Sequence, residues 1–293
     1  MISINTNYGG LFASKAASQS QRMLDTAMER LSTGKRINYA TDDAAGQAIA
    51  VRLQAEIEGI AMATRNVADA QSLMDTADGA LGETHNILLR MRELAVQAST
   101  GTLNTDDNAA LDAEFQQLEA EIDRINSSSK WAGSDLFTGS ARVFHIGTKA
   151  SDTLSHTIAS MGAHDLGVDS SGADNKLSTD TGGVAGDDTD NVDADLTDAT
   201  KAAAMITAVD NAIKLVSTER GKLGAVSNRL SSTISNLDQV GVNLSASKGR
   251  IKDTDFAEES ANLAKNQILQ QAGVAMLAQA NASQSTILSL IQS

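Results

Sequence analysis

Apolar residues recur every seven positions along two stretches of this 293-residue chain, each more than forty residues long. The first stretch runs from Asp42 to about Ser99, and the second lies far downstream. A seven-residue spacing predicts long helices that each carry one apolar seam, as in coiled coils. The first seam is Leu53, Ile60, Val67, Met74, Leu81, Leu88 and Ala95, with a companion row of Ala63, Ala70, Ala77, Thr84, Met91 and Ala98; the second is Ala202, Val209, Val216, Leu223, Leu230, Leu237 and Leu244.

A shorter amphipathic segment lies between the two seams. Its apolar residues are spaced by four and three positions, and Thr105 or Asp106 is the expected N-cap. The chain contains no proline, so no proline breaks these helices. We therefore expect a mainly α fold: a long antiparallel helical rod, or coiled-coil-like bundle, with terminal helices and a small β-containing outer lobe. The short segment's apolar residues are Leu111, Phe115, Leu118, Ile122 and Ile125.

Residues 139–197 differ in composition from the rest of the chain. Counting through Asp198, this region carries eleven Asp, no Glu and three cationic residues, among many Gly, Ser and Thr. Residues 143–146 and 154–158 are predicted to form short strands, and residues 165–195 consist mostly of turn formers. We expect this region to form the small lobe.

Both ends of the chain are apolar and separate from the seams. Leu24, Met28 and Leu31 mark a short N-terminal amphipathic helix, and residues 256–291 form an Ala-rich helix with a wide apolar arc. A helix of that kind needs burial on more than one side, and the rod does not extend far enough to cover it. Another chain is therefore its expected partner.

Composition argues against several classes of function. There is no cysteine, the four histidines are scattered, and no nucleophile is placed beside a base, so we expect no enzyme, no cofactor and no metal centre. A net charge of −14 argues against nucleic-acid binding, and without eighteen consecutive apolar residues no membrane insertion is expected. The acidic run 187–198 lacks the EF-hand spacing, which favours a solvated loop but leaves weak calcium binding open.

Several long motifs, in the correct order, resemble those of bacterial flagellins. They cover both ends and about four-fifths of the chain, leaving the acidic middle outside. One departure is Trp131-Ala132-Gly133, where the family usually has Phe-Asn-Gly. The matching motifs are Ile4 to Asn7, LSTGKRINYATDDAAGQAIA (31–50), TRNVADAQSLMDTADGAL (64–81), RMRELAVQAS (90–99), ERGKLGAVSNRL (219–230) and GRIKDTDFAEESANLAKNQILQQAGVAMLAQAN (249–281).

The resemblance implies a division of the chain into three layers of a flagellar filament. Residues 1–42 and 248–293 would form an inner-tube domain, residues 43–138 and 198–247 a helical rod domain, and residues 139–197 the outer lobe. The terminal helices would fold on assembly. The residues expected to pack between subunits are Leu24, Met28, Leu31, Ala261, Leu263, Ile268, Leu277, Leu288 and Ile291.

The resemblance also implies a location and partners. The protein would be secreted and act outside the cell, as a homopolymer for swimming motility. Further partners would be a flagellar secretion chaperone, the filament cap, the hook-junction proteins, and a vertebrate innate immune receptor that contacts Arg90, Leu94 and Glu114. The alternatives are a hook-filament junction protein, a filament subunit carrying a zinc protease, and a coiled-coil adhesin.

Overall fold

A computed structural model describes residues 6–168 and 196–292, with side chains described as far as residue 285. The chain is mainly helical, as predicted. Its helices are α1 (Tyr8–Thr33), α2 (Ala44–Ala98), α3 (Thr105–Ser128), α4 (Ala163–Leu166), α5 (Ala199–Lys252) and α6 (Phe256–Gln292), and its strands are β1 (Lys130–Trp131), β2 (Ser134–Asp135), β3 (Ala141–His145) and β4 (Thr153–Thr157).

The chain divides into two compact units. One contains the residues up to Glu58 and from Gly241 onward, and the other is Gly59–Val240. We call the second the helical core unit. The five-segment division expected from the resemblance stays a prediction.

The helical core unit is organised around the two predicted seams. From Ile60 to Ala98 every seam position of α2 is buried, and the α5 seam is buried from Ala202 to Leu230. In α3, Phe115 and Ile122 are fully buried in the same core. The guanidinium of Arg220 pairs with Asp78 at 2.7 Å and that of Arg92 pairs with Asp210, so α2 and α5 run antiparallel. The predicted seams are thus confirmed within this unit.

The starts of α2 and α3 are fixed by side-chain caps. The Asp43 carboxylate accepts a hydrogen bond from the Gly46 amide at 2.9 Å and so caps the start of α2. For α3 the predicted N-cap is wrong by one residue. Asn104 caps the helix by accepting from the Asp107 amide at 2.8 Å, and the Asp107 carboxylate accepts from the Asn104 amide. This reciprocal capping box favours Asn104 over Thr105 or Asp106.

The small lobe contains the two predicted strands, which pair as the antiparallel hairpin β3–β4. Side chains of the helices hold the segment that follows it. The buried Glu219 carboxylate accepts from the Ala159 amide at 3.4 Å, Asn126 accepts from the Met161 amide at 3.1 Å, and Asp123 accepts from the Ala163 amide at 2.8 Å. The lobe is therefore anchored to α3 and α5. Most of the acidic run lies outside the described residues.

A strained two-residue turn joins β1 to β2. Its central residues, Ala132 and Gly133, have φ angles of 48° and 82°. Two consecutive positive φ values are typical of a type I′ turn, which favours Asn-Gly because asparagine tolerates the left-handed region better than alanine does.

Ala132→Asn is expected to stabilise the protein by roughly 1 kcal/mol, because it relieves the left-handed strain on alanine. Chemical denaturation followed by circular dichroism measures the change. Gly133→Ala is the matched control and should destabilise, since it places a Cβ at a φ of 82°. Equal effects of the two substitutions would contradict this interpretation of the turn.

Candidate functional site on the terminal helices

Helices α1 and α6 pack against each other along most of α1, and we call them the terminal helix pair. Asn7 donates to Asn281 at 3.2 Å, Gln270 donates to Gln21, and Arg30 pairs with Glu259 at 3.8 Å. Residue numbers rise along one helix as they fall along the other, so the two run antiparallel. Asn7 also caps α1 by accepting from the Gly10 amide at 2.8 Å.

The contact between the two helices is made by small and polar groups. Gly273 lies so close to α1 that an added Cβ would be 3.3 Å from the Ala17 Cβ. Ser20, Glu259 and Asn266 are buried polar residues of the pair. These groups fix the register of the helices but bury little apolar surface.

Large apolar side chains of the pair remain exposed. Between residues 256 and 285, α6 has no buried hydrophobic side chain, and the only hydrophobic side chains that α1 buries are those of Ala13, Leu24 and Ala27. Exposed large apolar side chains that lie near one another are typical of interaction surfaces. We call it the apolar surface: Tyr8, Leu11, Phe12, Met23 and Met28 of α1, and Phe256, Ile268, Leu269, Val274 and Met276 of α6.

A groove of about 470 Å³ lies between the two helices on this surface. Phe12 lines it from α1, and Leu269 and Met276 line it from α6. Its lining is mostly apolar and it is open on one side, so it fits an apolar side chain from another molecule.

The structure places the predicted packing residues at different depths. Met28, Ala261 and Ile268 are exposed, Leu31, Leu263 and Leu277 are half-buried, and Leu24 is buried within the pair. The side chains of Leu288 and Ile291 lie outside the described residues. The sequence reasoning missed Tyr8, Leu11 and Phe12, although their i, i+3, i+4 spacing is a helical apolar signal.

The predicted receptor residues lie in the helical core unit. Arg90 donates through Nη2 to Glu114 at 2.8 Å and through Nη1 to Glu93 at 3.0 Å, and both Arg90 and Glu114 are half-exposed. Hydrogen bonding to Glu114, and then to Glu93, raises the pKa of the Arg90 guanidinium. Leu94 is buried in the core, so only Arg90 and Glu114 of the three present side chains to solvent.

Two kinds of feature, a metal-binding cluster and a membrane-crossing helix, were sought among the described residues. No group of three or more His, Asp or Glu side chains among them could hold a metal ion. In the same part of the chain, no helix combines the length and the apolar character needed to cross a bilayer.

Comparison with known proteins gives consistent matches at both ends of the chain. The profile described as the bacterial flagellin N-terminal helical region matches residues 4–142, and that of the C-terminal helical region matches residues 206–291. Flagellin of Bacillus subtilis strain 168 is 40% identical over 310 residues, covering 99% of each chain. Flagellin of Halalkalibacterium halodurans is 42% identical and covers 91% of each.

One solved structure shares the fold at low identity. It is described as a flagellar hook-associated protein from Vibrio parahaemolyticus, with a TM-score of 0.58 and 16% identity, covering 72% of this chain and 100% of that one. At this identity the similarity concerns the fold alone.

Proposed function

Because this chain belongs to the bacterial flagellin family and is a structural subunit of the flagellar filament, we propose that its copies polymerise through the apolar surface of the terminal helix pair. Flagellins are structural proteins. Self-polymerisation and export to the extracellular filament follow from family membership. Nothing in the comparisons favours a hook-filament junction protein.

The observation that carries this proposal is the burial pattern of α6. Five of its large apolar side chains are exposed and none is buried between residues 256 and 285. Covering a Leu, Ile, Phe or Met side chain contributes roughly 1.5–3 kcal/mol. Neighbouring copies supply that cover in a filament. Contacts between unlike surfaces that do not close a ring extend into an open helix of subunits.

The same pattern supports folding coupled to assembly. Ordering a residue costs about 1–2 kcal/mol in backbone entropy. Among the side chains described, those up to residue 285, the contact between α1 and α6 offers only Ala13, Leu24 and Ala27 as buried apolar side chains to offset that cost. The paired helices therefore represent the assembled form, and in the isolated chain these segments are largely unfolded.

An unfolded apolar segment needs protection before export. We propose that a secretion chaperone covers the apolar residues of α6 inside the cell. The filament cap and the hook-junction proteins would then meet the same surface outside the cell, because each must contact subunits at an end of the polymer. These partners come from the family resemblance and from the exposure of Phe256, Ile268 and Val274.

The half-exposed Arg90 and Glu114 support a contact with a vertebrate innate immune receptor. Their ion pair presents a charged group on the α2–α3 face of the helical core unit. Leu94 would support this face from within, since its side chain is in the core.

Arg90→Ala is expected to weaken binding of the receptor ectodomain about tenfold or more, as loss of a hydrogen bond to a charged group does. Surface plasmon resonance measures the affinity. Arg92→Ala is the matched control, because Arg92 is also half-exposed on α2 and paired with a carboxylate, that of Asp210. Equal losses for both variants would place the receptor contact elsewhere.

Seeded polymerisation tests the proposed function. Purified chain is added to short filament fragments, and elongation is followed by light scattering and electron microscopy. We expect filaments to grow from the seeds without other proteins. A chain that stays monomeric at high concentration with seeds present would refute the proposal.

A further inference from the structure

The methionines of the chain fall into two groups by exposure. Four of the eight among the described residues are buried in the helical core unit: Met74, Met91, Met161 and Met205. Of the four exposed ones, Met23, Met28 and Met276 all lie on the terminal helix pair, with exposures of 46%, 54% and 64%. The fourth, Met62, is 50% exposed on α2. Exposed methionine is thus concentrated on the apolar surface.

We propose that Met23, Met28 and Met276 form a reversible oxidation site through which peroxides control assembly of this chain. The inference rests on the proposed function, since it requires that the apolar surface be buried between copies. It adds a chemical modification and a class of reactant to that surface.

The reaction is a two-electron oxygen transfer. A sulfur lone pair of the methionine attacks one oxygen of hydrogen peroxide, the O–O bond breaks, and a sulfoxide forms. The departing hydroxide takes up the proton released from the transferred oxygen and leaves as water. The sulfur is oxidised and the peroxide is reduced. Sulfoxide reductases return the sulfoxide to the thioether: its oxygen leaves as water, and two thiols of the reductant are oxidised to a disulfide.

Oxidation would change what the surface can pack against. Thioether sulfur is apolar and adaptable, so it suits an irregular interface. The sulfoxide is a polar acceptor, and burying it without a donor costs free energy. Met276 lines the groove beside Phe12 and Leu269, where the lining offers few donors. An oxidised subunit should therefore add poorly to a filament.

Assembly should in turn protect the site. In the isolated chain the three sulfurs are accessible to solvent, whereas in a filament neighbouring copies would cover them. Met62 lies outside the terminal helix pair and should report on ordinary surface reactivity in both states. Met74, Met91 and Met205, which are 0–1% exposed, should remain reduced in both.

The test treats isolated chain and filaments with hydrogen peroxide and maps the sulfoxides by peptide mass spectrometry. In isolated chain we expect Met23, Met28 and Met276 to oxidise at least about tenfold faster than the buried methionines. The rate of seeded elongation should fall about tenfold or more, because one unsatisfied polar group would be buried for each added subunit. Treatment with sulfoxide reductases and dithiothreitol should restore the rate. In filaments the three sites should react more slowly than Met62. Unchanged elongation with all three sites oxidised would overturn the proposal.

Variants assign the effect to these sites. The triple variant Met23→Leu, Met28→Leu and Met276→Leu is compared with itself before and after peroxide, so its basal rate need not match that of the unaltered chain. The triple variant should elongate at the same rate before and after peroxide treatment, whereas the Met62→Leu variant should elongate more slowly after treatment. If peroxide lowers the elongation rate of the triple variant as much as that of the unaltered chain, the assignment is contradicted. If the untreated triple variant already elongates poorly, the assignment is decided by whether sulfoxide reductases restore elongation of the oxidised unaltered chain.

The two proposals fail in different ways. If untreated chain does not elongate on seeds, both the proposed function and this inference are refuted. If untreated chain elongates and fully oxidised chain elongates equally well, only the oxidation site is refuted.

Discussion

Ile268→Asp is expected to lower the rate of filament elongation by about a hundredfold or more while leaving the helical core unit folded. The Ile268 side chain is 66% exposed on α6, so an aspartate there is solvated in the isolated chain. In a filament that carboxylate would be buried without a partner, which costs several kcal/mol, and each 1.4 kcal/mol is a factor of ten. Seeded elongation and far-ultraviolet circular dichroism of the monomer measure the two effects.

Val143→Asp is the matched control for this substitution. Val143 is 65% exposed on β3, so the same chemistry is placed at the same exposure in the helical core unit. Elongation of this variant should stay close to that of the unaltered chain. Normal filaments from Ile268→Asp would count against the apolar surface, and equal failure of both variants would show that the position of the charge does not matter.

Phe115→Ala is expected to destabilise the helical core unit by about 3–5 kcal/mol. The Phe115 side chain is fully buried in the core that also contains the seams of α2 and α5, so its removal leaves a cavity and loses the transfer free energy of the ring. Thermal and urea unfolding followed by circular dichroism measure the loss.

Phe12→Ala makes the same change on the apolar surface. Phe12 is 77% exposed, so its truncation should leave the unfolding midpoint of the isolated chain almost unchanged and slow elongation instead. The two variants should thus show opposite phenotypes. If Phe12→Ala lowered the unfolding midpoint as much as Phe115→Ala, the terminal helices would belong to the stable core of the monomer.

Much of the structure of the helical core unit can be predicted from the sequence, because the seven-residue apolar repeat determines which residues are buried. A seven-residue apolar repeat without proline can be satisfied by a long helix that buries one seam, so positions such as Leu81 and Leu223 are core residues wherever the partner helix lies. The strand pair β3–β4 was likewise indicated by local composition.

Contacts between distant residues could not be predicted in this way. The Glu219 carboxylate anchors the Ala159 amide sixty positions away, and no periodicity marks that pairing. The sequence alone does not distinguish the N-cap of α3, because Asn104, Thr105 and Asp106 are all good N-cap residues and only the reciprocal bond with Asp107 selects Asn104.

The candidate site was predicted in outline but not in detail. The apolar arc of α6 indicated a missing partner, and Ile268 and Met28 are exposed as that requires. Burial of Leu24 depends on its packing within the terminal helix pair, which the sequence does not reveal. The polar contacts that set the register, such as that of Gln270 with Gln21, leave no signal in the apolar periodicity.

Amide hydrogen exchange of the isolated chain and of filaments tests the central claim most directly. We expect amides of α1 and α6 to exchange within seconds in the isolated chain and to be strongly protected in filaments, while amides of the helical core unit near Leu88 and Val216 are protected in both. Strong protection of both terminal helices in the isolated chain would contradict the account, because they would then be folded before any second copy is present.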